Sequence, residues 1–245
     1  MLRSAKQAVR KVIESSGYSV MQTRLATPGH QRVYPAATYA PWSLDENFQA
    51  VYESVRFNTH VCMYRCWELW TLVEQTARLD EGDYLEVGVW RGGTGCLIAK
   101  RLGLLNVDCP VYLCDTFSGV VKAGPMDDKY LGGEHSDTSE SVVRDLASRM
   151  EIQIRLLKGM FPEETGAMIE NRLFRFCHVD VDVYESARGC TEWIWPRLVS
   201  RGVIVYDDYG FQGCDGVRRH VDEWSRAKDC LLMHNLNGHA IIVKP

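Results

Sequence analysis

The chain has 245 residues, of which 46% are hydrophobic and 24% are charged, so it is long and apolar enough for one or two packed domains. Acidic residues outnumber basic residues by 32 to 28, a formal net charge of −4, which argues against a disordered polyelectrolyte and against a general nucleic-acid-binding protein. No apolar run approaches the length of about 20 residues that crosses a bilayer, so we expect no membrane span.

The start of the chain and the cysteines predict a cytoplasmic protein. Residues 1–17 carry basic side chains but no apolar block followed by a small-residue cleavage site, so they do not resemble a secretory signal. The nine cysteines are odd in number and scattered through apolar segments. This usage is typical of free thiols in a reducing compartment.

Residues 1–80 are predicted to form an N-terminal helical cap. A basic helix comes first, and a stretch interrupted by proline and glycine follows at 27–41. Ser43 with Glu46 three positions later has the spacing of a capping box, which predicts a second helix, and a third is predicted over 61–79. Their apolar positions need a partner surface, which we expect to be the following domain. Contacts exchanged with a second chain through this part would make a homo-oligomer.

Residues 81–245 alternate strand-like and helical segments. Five strands are predicted at DYLEVGV, PVYLCDT, EIQIRLLKG, FRFCHVDVDV and GVIVYDD, and the helices between them include FPEETGAMIEN. Such alternation predicts a parallel sheet with helices on both faces. Two more strands flank Asn237-Gly238, a favoured hairpin turn, so the last strand is expected to run antiparallel. The predicted fold is therefore α/β, and this Rossmann-like seven-stranded sheet with its antiparallel last strand resembles the sheet of the class I methyltransferases.

A glycine-rich turn, EVGVWRGGTG, follows the first predicted strand. Glycines allow a tight turn close to a ligand, and the next helix begins with free N–H donors. The spacing departs from the G-x-G-x-x-G of dinucleotide sites, which favours S-adenosylmethionine over a nicotinamide cofactor. Glu86 is expected to face the ammonium group of the methionyl part, and Asp115 the ribose hydroxyls. Trp90 and Phe117 follow the two turns and are expected to flank the ligand.

Four carboxylates follow the fourth and fifth predicted strands. Asp180 and Asp182 close the fourth strand and Asp207 and Asp208 the fifth, and parallel strands present their carboxyl ends at one edge of the sheet. Carboxylates that meet there repel unless a cation or protons compensate, and oxygen ligands suit a magnesium-type ion. We assign Asp180, Asp207 and Asp208 as metal ligands. Asp182 is either the base for a substrate hydroxyl or the cap of the next helix. His135, in the glycine-rich loop after the second strand, is an alternative base.

In this order, the motifs resemble the macrocin O-methyltransferase family. The segments EVGVWRGGTG, CDTFSG, LKGMFPEET, HVDVDVYESA and VIVYDDYGFQGCDGVRRHVDEW carry the resemblance, which begins near residue 56. It implies an S-adenosylmethionine- and magnesium-dependent enzyme that methylates a hydroxyl of a glycosylated natural product or surface glycan, with a small-molecule glycoside as acceptor. It also implies metal binding by Asp180, Asp207 and Asp208, and a base at Asp182. The implied cofactor positions are Glu86, Gly88, Val89, Trp90, Gly93, Thr94, Asp115, Thr116, Phe117, Gly159 and Phe161.

Two alternative functions stay open at this point. A catechol-type O-methyltransferase would share the cofactor and the metal but take a planar phenolic acceptor. A non-catalytic cofactor-binding scaffold would bind without turnover, although clustered carboxylates without a use are costly and argue against it. Residues 1–50 carry no motif of the family, so the acceptor stays open.

Overall fold

The computed structural model describes residues 9–11, 13–16, 25, 29–33 and 36–245. The chain divides into two compact units, Met1–Thr38 and Tyr39–Pro245. In the first unit, residues 9–11 and 13–15 are helical, and the rest of the predicted basic helix lies outside the described residues.

The second unit is built on a seven-stranded sheet with the order β3-β2-β1-β4-β5-β7-β6. Its strands are β1 (Asp83–Val87), β2 (Val111–Asp115), β3 (Arg155–Lys158), β4 (Phe174–Val179), β5 (Leu198–Tyr206), β6 (Leu231–His234) and β7 (Ala240–Val243). Strands β1 to β5 pair in parallel, and β7 pairs antiparallel with both β5 and β6. The predicted α/β sheet with a reversed last strand is confirmed.

Six α-helices of the second unit surround this sheet. They are α1 (Glu46–Val55), α2 (Met63–Thr76), α3 (Gly93–Leu104), α4 (Glu140–Arg149), α5 (Tyr184–Ile194) and α6 (Asp215–Ala227). Among the described residues, no helix is long and apolar enough to cross a membrane.

The sheet separates two hydrophobic clusters. Strands β1 and β4 are buried at every position, as expected of central parallel strands covered on both faces, although each contains two buried polar or charged residues. One cluster contains residues of the helices α1, α2, α3 and α4, among them Phe48, Trp70 and Leu97. The other contains residues of α5 and α6, among them Ile194 and Val217. Helices α1 and α2 therefore share a core with the sheet, and a separate cap at residues 1–80 stays a prediction.

The capping box predicted at Ser43 is wrong. Ser43 lies in a 3-10 turn, and its hydroxyl donates to the Ala40 carbonyl at 2.6 Å. The cap of α1 is Asp45, whose Oδ1 accepts from the Phe48 N–H at 2.9 Å, while its Oδ2 accepts from the Trp70 indole at 3.1 Å. Asp45 takes the position because one carboxylate caps α1 and ties it to α2.

The helix predicted at FPEETGAMIEN is also wrong, since this segment forms only a 3-10 turn at Gly166–Ile169. The Glu164 carboxylate accepts from the Met160 N–H at 2.7 Å and so competes with helical hydrogen bonds. Gly166 packs closely against Trp193: a Cβ there would lie 2.8 Å from the indole nitrogen.

Candidate cofactor and metal site

A cavity of about 360 Å³ lies at the carboxyl ends of β1, β2, β4 and β5. Most of the site residues predicted from the sequence line it, namely Gly88, Val89, Trp90, Thr94, Asp115, Thr116, Gly159, Phe161, Asp180, Asp182, Asp207 and Asp208. The predicted residues Glu86, Gly93 and Phe117 do not belong to this lining. The topology thus brings the glycine turn and the four carboxylates to one cavity.

Gly88 lets the ends of β1 and β4 approach each other. Its φ is +86°, and a Cβ at this position would lie 1.7 Å from the Asp180 carbonyl oxygen. The Gly88 N–H donates to the Cys114 carbonyl at 3.0 Å, and the Asp180 N–H donates to the Val87 carbonyl at 2.9 Å. Only glycine fits here, because the backbones of three neighbouring strands meet.

Asp115 joins the two turns that follow β1 and β2. Its Oδ2 accepts from the backbone N–H groups of Val89 and Trp90 at 2.6 and 2.9 Å, and its Oδ1 accepts from that of Phe117 at 2.6 Å. These bonds hold the left-handed backbone of Trp90 and Phe117, with φ of 47° and 56°. Its contact with ribose hydroxyls stays a prediction.

Glu86 lies fully buried behind the cavity wall and pairs with a histidine. Its Oε1 is 2.9 Å from Nδ1 of the fully buried His178, and among the described residues no group hydrogen bonds to its Oε2. Gly95 on α3 leaves room for this carboxylate, since a Cβ there would lie 2.5 Å from Oε2. The contact of Glu86 with a cofactor ammonium group stays a prediction.

Asp180, Asp207 and Asp208 lie close together in the lining of the cavity. Each offers one carboxylate oxygen, and these three atoms lie within 4.8 Å of one another. Burial raises the pKa of Asp180 well above its usual value, and the charges of Asp207 and Asp208 raise it further. Burial, Asp182 and Asp207 do the same to the pKa of Asp208. Two of the three carboxylates therefore hold a charge here only at a high cost.

Asp207 is the exception because cationic and N–H groups surround it. Arg65 on α2 donates to Oδ2, and His239 Nε2 lies 2.9 Å from Oδ1. His178 Nε2 lies 3.7 Å from the same Oδ1, beyond hydrogen-bond distance. Burial alone would raise the pKa of Asp207, but His178, His239 and Arg65 together hold it below its usual range. Burial alone would lower the pKa of His178, yet Asp207 and Glu86 raise it to about 9.

Asp182 lies beyond the end of β4 in a left-handed conformation, with φ of 64°. Its N–H donates to Asp208 Oδ2 at 2.8 Å, and burial raises the pKa of its carboxyl, an effect that the neighbouring Tyr130 hydroxyl opposes. The alternative that Asp182 caps α5 is wrong. Val183 occupies the cap position, and the Tyr184 N–H donates to Asp127 Oδ1 at 2.9 Å.

Four ring-bearing residues, His60, Trp90, Tyr130 and His135, belong to the lining of the cavity. The rings of His60 and Trp90 stack with centroids 4.0 Å apart, and His135 lies 5.3 Å from His60 and 5.9 Å from Tyr130. The sequence interpretation did not include His60, Tyr130 or Arg65, since they lie outside the strand-end motifs. Nothing in their local spacing distinguishes them from packing residues.

A sheet of this order, with a glycine turn after β1 and acidic residues after β2, β4 and β5, defines a class I methyltransferase fold. The particular family follows from sequence comparison: the chain belongs to the family described as Macrocin-O-methyltransferase (TylF), which its residues 58–236 match. The resemblance inferred from the motifs is thereby confirmed.

Individual relatives are similar over part of their length. The chain is 28% identical over 144 residues to 8-demethyl-8-(2,3-dimethoxy-alpha-L-rhamnosyl)-tetracenomycin-C 4'-O-methyltransferase of Streptomyces olivaceus, covering 54% of this chain and 55% of that protein. It is 31% identical over 149 residues to mycinamicin III 3''-O-methyltransferase of Micromonospora griseorubida, covering 54% and 57%. The chain thus spans little more than half the length of these relatives. The solved structure of the O-methyltransferase NovP has a similar fold, with a TM-score of 0.67 and 24% identity over 76% of this chain and 82% of that one.

The close approach at Gly88 generates a prediction. Gly88→Ala places a methyl group against the Asp180 carbonyl, so the ends of β1 and β4 must separate and the turn must distort. We expect the affinity for S-adenosylhomocysteine, measured by isothermal titration calorimetry, to fall at least about tenfold, or about 1.4 kcal/mol. Gly103→Ala is the matched control, because a Cβ at Gly103 meets no atom within 4 Å. Equal affinity in both variants would contradict the role given to this turn.

Proposed function

We propose that the chain is an S-adenosylmethionine- and divalent-metal-dependent O-methyltransferase that acts on a sugar hydroxyl of a glycosylated natural product or surface glycan. Membership of the Macrocin-O-methyltransferase (TylF) family supports the methyl transfer. The Streptomyces olivaceus relative has a rhamnosyl compound in its name, which supports a sugar acceptor. The observation that carries the proposal is the meeting of Asp180, Asp207 and Asp208 in the cavity that the glycine turn also lines.

The cofactor would lie along the turns after β1 and β2. Gly88 leaves the backbone free of side-chain atoms at this wall, and the Asp115 carboxylate lines the cavity beside Thr116. S-adenosylmethionine, when bound, supplies a methyl group on a positively charged sulfur. Carboxyl groups of Asp180 and its neighbours line the same cavity and suit a positively charged ligand.

The donor set fits a hard divalent ion. Three carboxylates with oxygens within 4.8 Å of one another provide the ligands that magnesium-type ions prefer. Burial and the neighbouring acidic groups raise the pKa of Asp180 and Asp208, and a bound ion would offset both effects. It would also supply charge that acidifies and positions an acceptor hydroxyl. Asp180, Asp207 and Asp208 would hold it.

Asp182 is the proposed base. It lines the cavity next to the metal aspartates, and its backbone N–H donates to Asp208 at 2.8 Å, which holds the backbone that carries the carboxylate. Burial raises its pKa, which makes it a stronger proton acceptor than an exposed aspartate. Asp182 would take the proton of the acceptor hydroxyl at a carboxylate oxygen as the methyl group is transferred. His135, which also lines the cavity, is the alternative base.

All nine cysteines are free thiols, which supports the cytoplasmic location proposed here. A homo-oligomer, formed through the N-terminal part, is proposed on the sequence alone.

The direct test uses a labelled methyl donor with a panel of acceptors. We expect label to be transferred to glycosides in the presence of Mg²⁺ and not in excess chelator, with recovery when Mg²⁺ is restored. Transfer to catechols but to no glycoside would identify a catechol-type enzyme instead. Full activity in chelator would contradict the metal assignment, and binding of the donor without transfer to any acceptor would favour a scaffold.

Removal of a metal ligand should separate turnover from cofactor binding. Asp180→Ala and Asp208→Ala are expected to reduce methyl transfer to background while the calorimetric affinity for S-adenosylhomocysteine is kept, because neither side chain belongs to the turns after β1 and β2. Asp108→Ala removes an exposed carboxylate outside the cavity and should keep full activity. Turnover by either site variant at the parent rate would be inconsistent with metal binding there.

Replacement of the proposed base should affect the rate alone. Asp182→Asn keeps the size of the side chain but cannot take the hydroxyl proton, so we expect kcat to fall by about 100-fold or more. Mn²⁺ affinity and cofactor affinity should be largely unchanged. Unaltered kinetics would remove Asp182 from catalysis, and His135→Gln would then be measured as the alternative.

A further inference from the structure

A row of hydrogen bonds connects helix α2, the C-terminal hairpin and the carboxylate cluster. Oε2 of Glu68, on α2, lies 2.6 Å from Nδ1 of His239. Nε2 of the same histidine lies 2.9 Å from Oδ1 of Asp207. His239 directly precedes β7 and is fully buried. We call Glu68, His239 and Asp207 the Glu-His-Asp row.

The histidine ring has little freedom in this row. Both of its nitrogens face carboxylate oxygens, so rotation about either side-chain bond would break at least one hydrogen bond. Glu68 is itself held, because the side-chain amides of Asn235 and Asn237 in the hairpin turn also donate to its two oxygens. The backbone N–H of His239 donates to Asn237 Oδ1 at 3.0 Å. The hairpin and the helix thus fix the ring from both sides.

The row determines how Asp207 presents its carboxylate. Arg65 fixes Oδ2 and His239 fixes Oδ1, so both oxygens have a defined direction before any ligand enters. The partners of Asp208 are different, since its Oδ2 accepts from the backbone N–H of Asp182. A ligand that is oriented in advance binds a metal ion more tightly, because no side-chain freedom is lost on binding.

We propose that His239 is a positioning residue for the metal site, with Glu68 fixing the ring so that Nε2 holds Asp207 Oδ1. This inference rests on the proposed function, since it takes Asp180, Asp207 and Asp208 as the metal ligands. It gives the C-terminal hairpin a role in the site, although no hairpin residue lines the cavity among those described. A residue that only fastened the hairpin would affect stability without affecting the binding of the ion.

The proposal is tested by measuring Mn²⁺ binding to the full chain without cofactor or acceptor. Electron paramagnetic resonance of the free Mn²⁺ ion reports how much of the ion is bound. His239→Ala should weaken Mn²⁺ binding by about 10- to 100-fold, the usual effect of losing a partner of a metal ligand. His239→Gln should recover most of the affinity, because the glutamine amide nitrogen falls near the position of Nε2. His239→Asn should not, because its amide falls near Nδ1 and reaches Glu68 rather than Asp207.

A second buried histidine provides the matched control. His220 on α6 is buried and lies 2.8 Å from Thr191 Oγ1, on the other face of the sheet and outside the cavity lining. His220→Ala should change the melting temperature but leave Mn²⁺ affinity within about twofold of the parent. The melting temperature and the affinity for S-adenosylhomocysteine are measured for every variant.

The outcomes separate this inference from the proposed function. Asp180→Asn should weaken Mn²⁺ binding. If it does, and His239→Ala still binds Mn²⁺ like the parent, the positioning role of His239 is wrong and the metal site stands. If Asp180→Asn binds Mn²⁺ like the parent, both are wrong. Weak binding by His239→Ala and His239→Gln alike, with S-adenosylhomocysteine binding also lost, would assign His239 a purely structural role.

Discussion

The repulsion among four carboxylates at one edge of a parallel sheet is the constraint on which the site depends. Asp180, Asp182, Asp207 and Asp208 are buried or half-buried at the ends of β4 and β5, where the register of the sheet brings them together. Such charge is tolerated only where cations or hydrogen-bond donors face it. Several surrounding elements contribute such cations and hydrogen-bond donors.

The four carboxyl groups differ in how many cationic and hydrogen-bonding partners they have. Asp207 receives Arg65 from α2, which also lines the cavity, and His239 from the hairpin, so the chain itself balances this carboxylate. Asp180 and Asp208 keep raised pKa values, because burial and their acidic neighbours outweigh the partners they have. These two less compensated carboxyl groups line the cavity, where a cation can reach them. The helical segment before β1 and the hairpin after α6 both contribute to this asymmetry.

The sequence predicts those parts of the fold and site that depend on local patterns. Strand-helix alternation and the Asn237-Gly238 turn predict the sheet with its reversed last strand, and the carboxyl-end rule brings the predicted aspartates to one cavity. The capping box and the helix at FPEETGAMIEN fail because tertiary partners, Trp70 for Asp45 and Trp193 for Gly166, override local preference. Arg65 and Glu68 have no local signal, since their partners are remote in sequence. The position of His239 follows from the pairing of β7 with β5. This pairing sets Ala240 opposite Tyr206 and therefore His239 beside Asp207.

The carboxylates also hold the backbone around the cavity in a costly shape. Trp90, Phe117 and Asp182 have left-handed φ values, a conformation that costs a residue other than glycine about 1–2 kcal/mol. Asp115 accepts from the backbone N–H groups of Trp90 and Phe117, and Asp208 accepts from that of Asp182, and these hydrogen bonds stabilise the strained conformations. Asp115 and Asp208 are also the residues proposed to contact cofactor and metal. A ligand bound by these two residues would therefore share their oxygens with the turns that carry Trp90 and the proposed base Asp182.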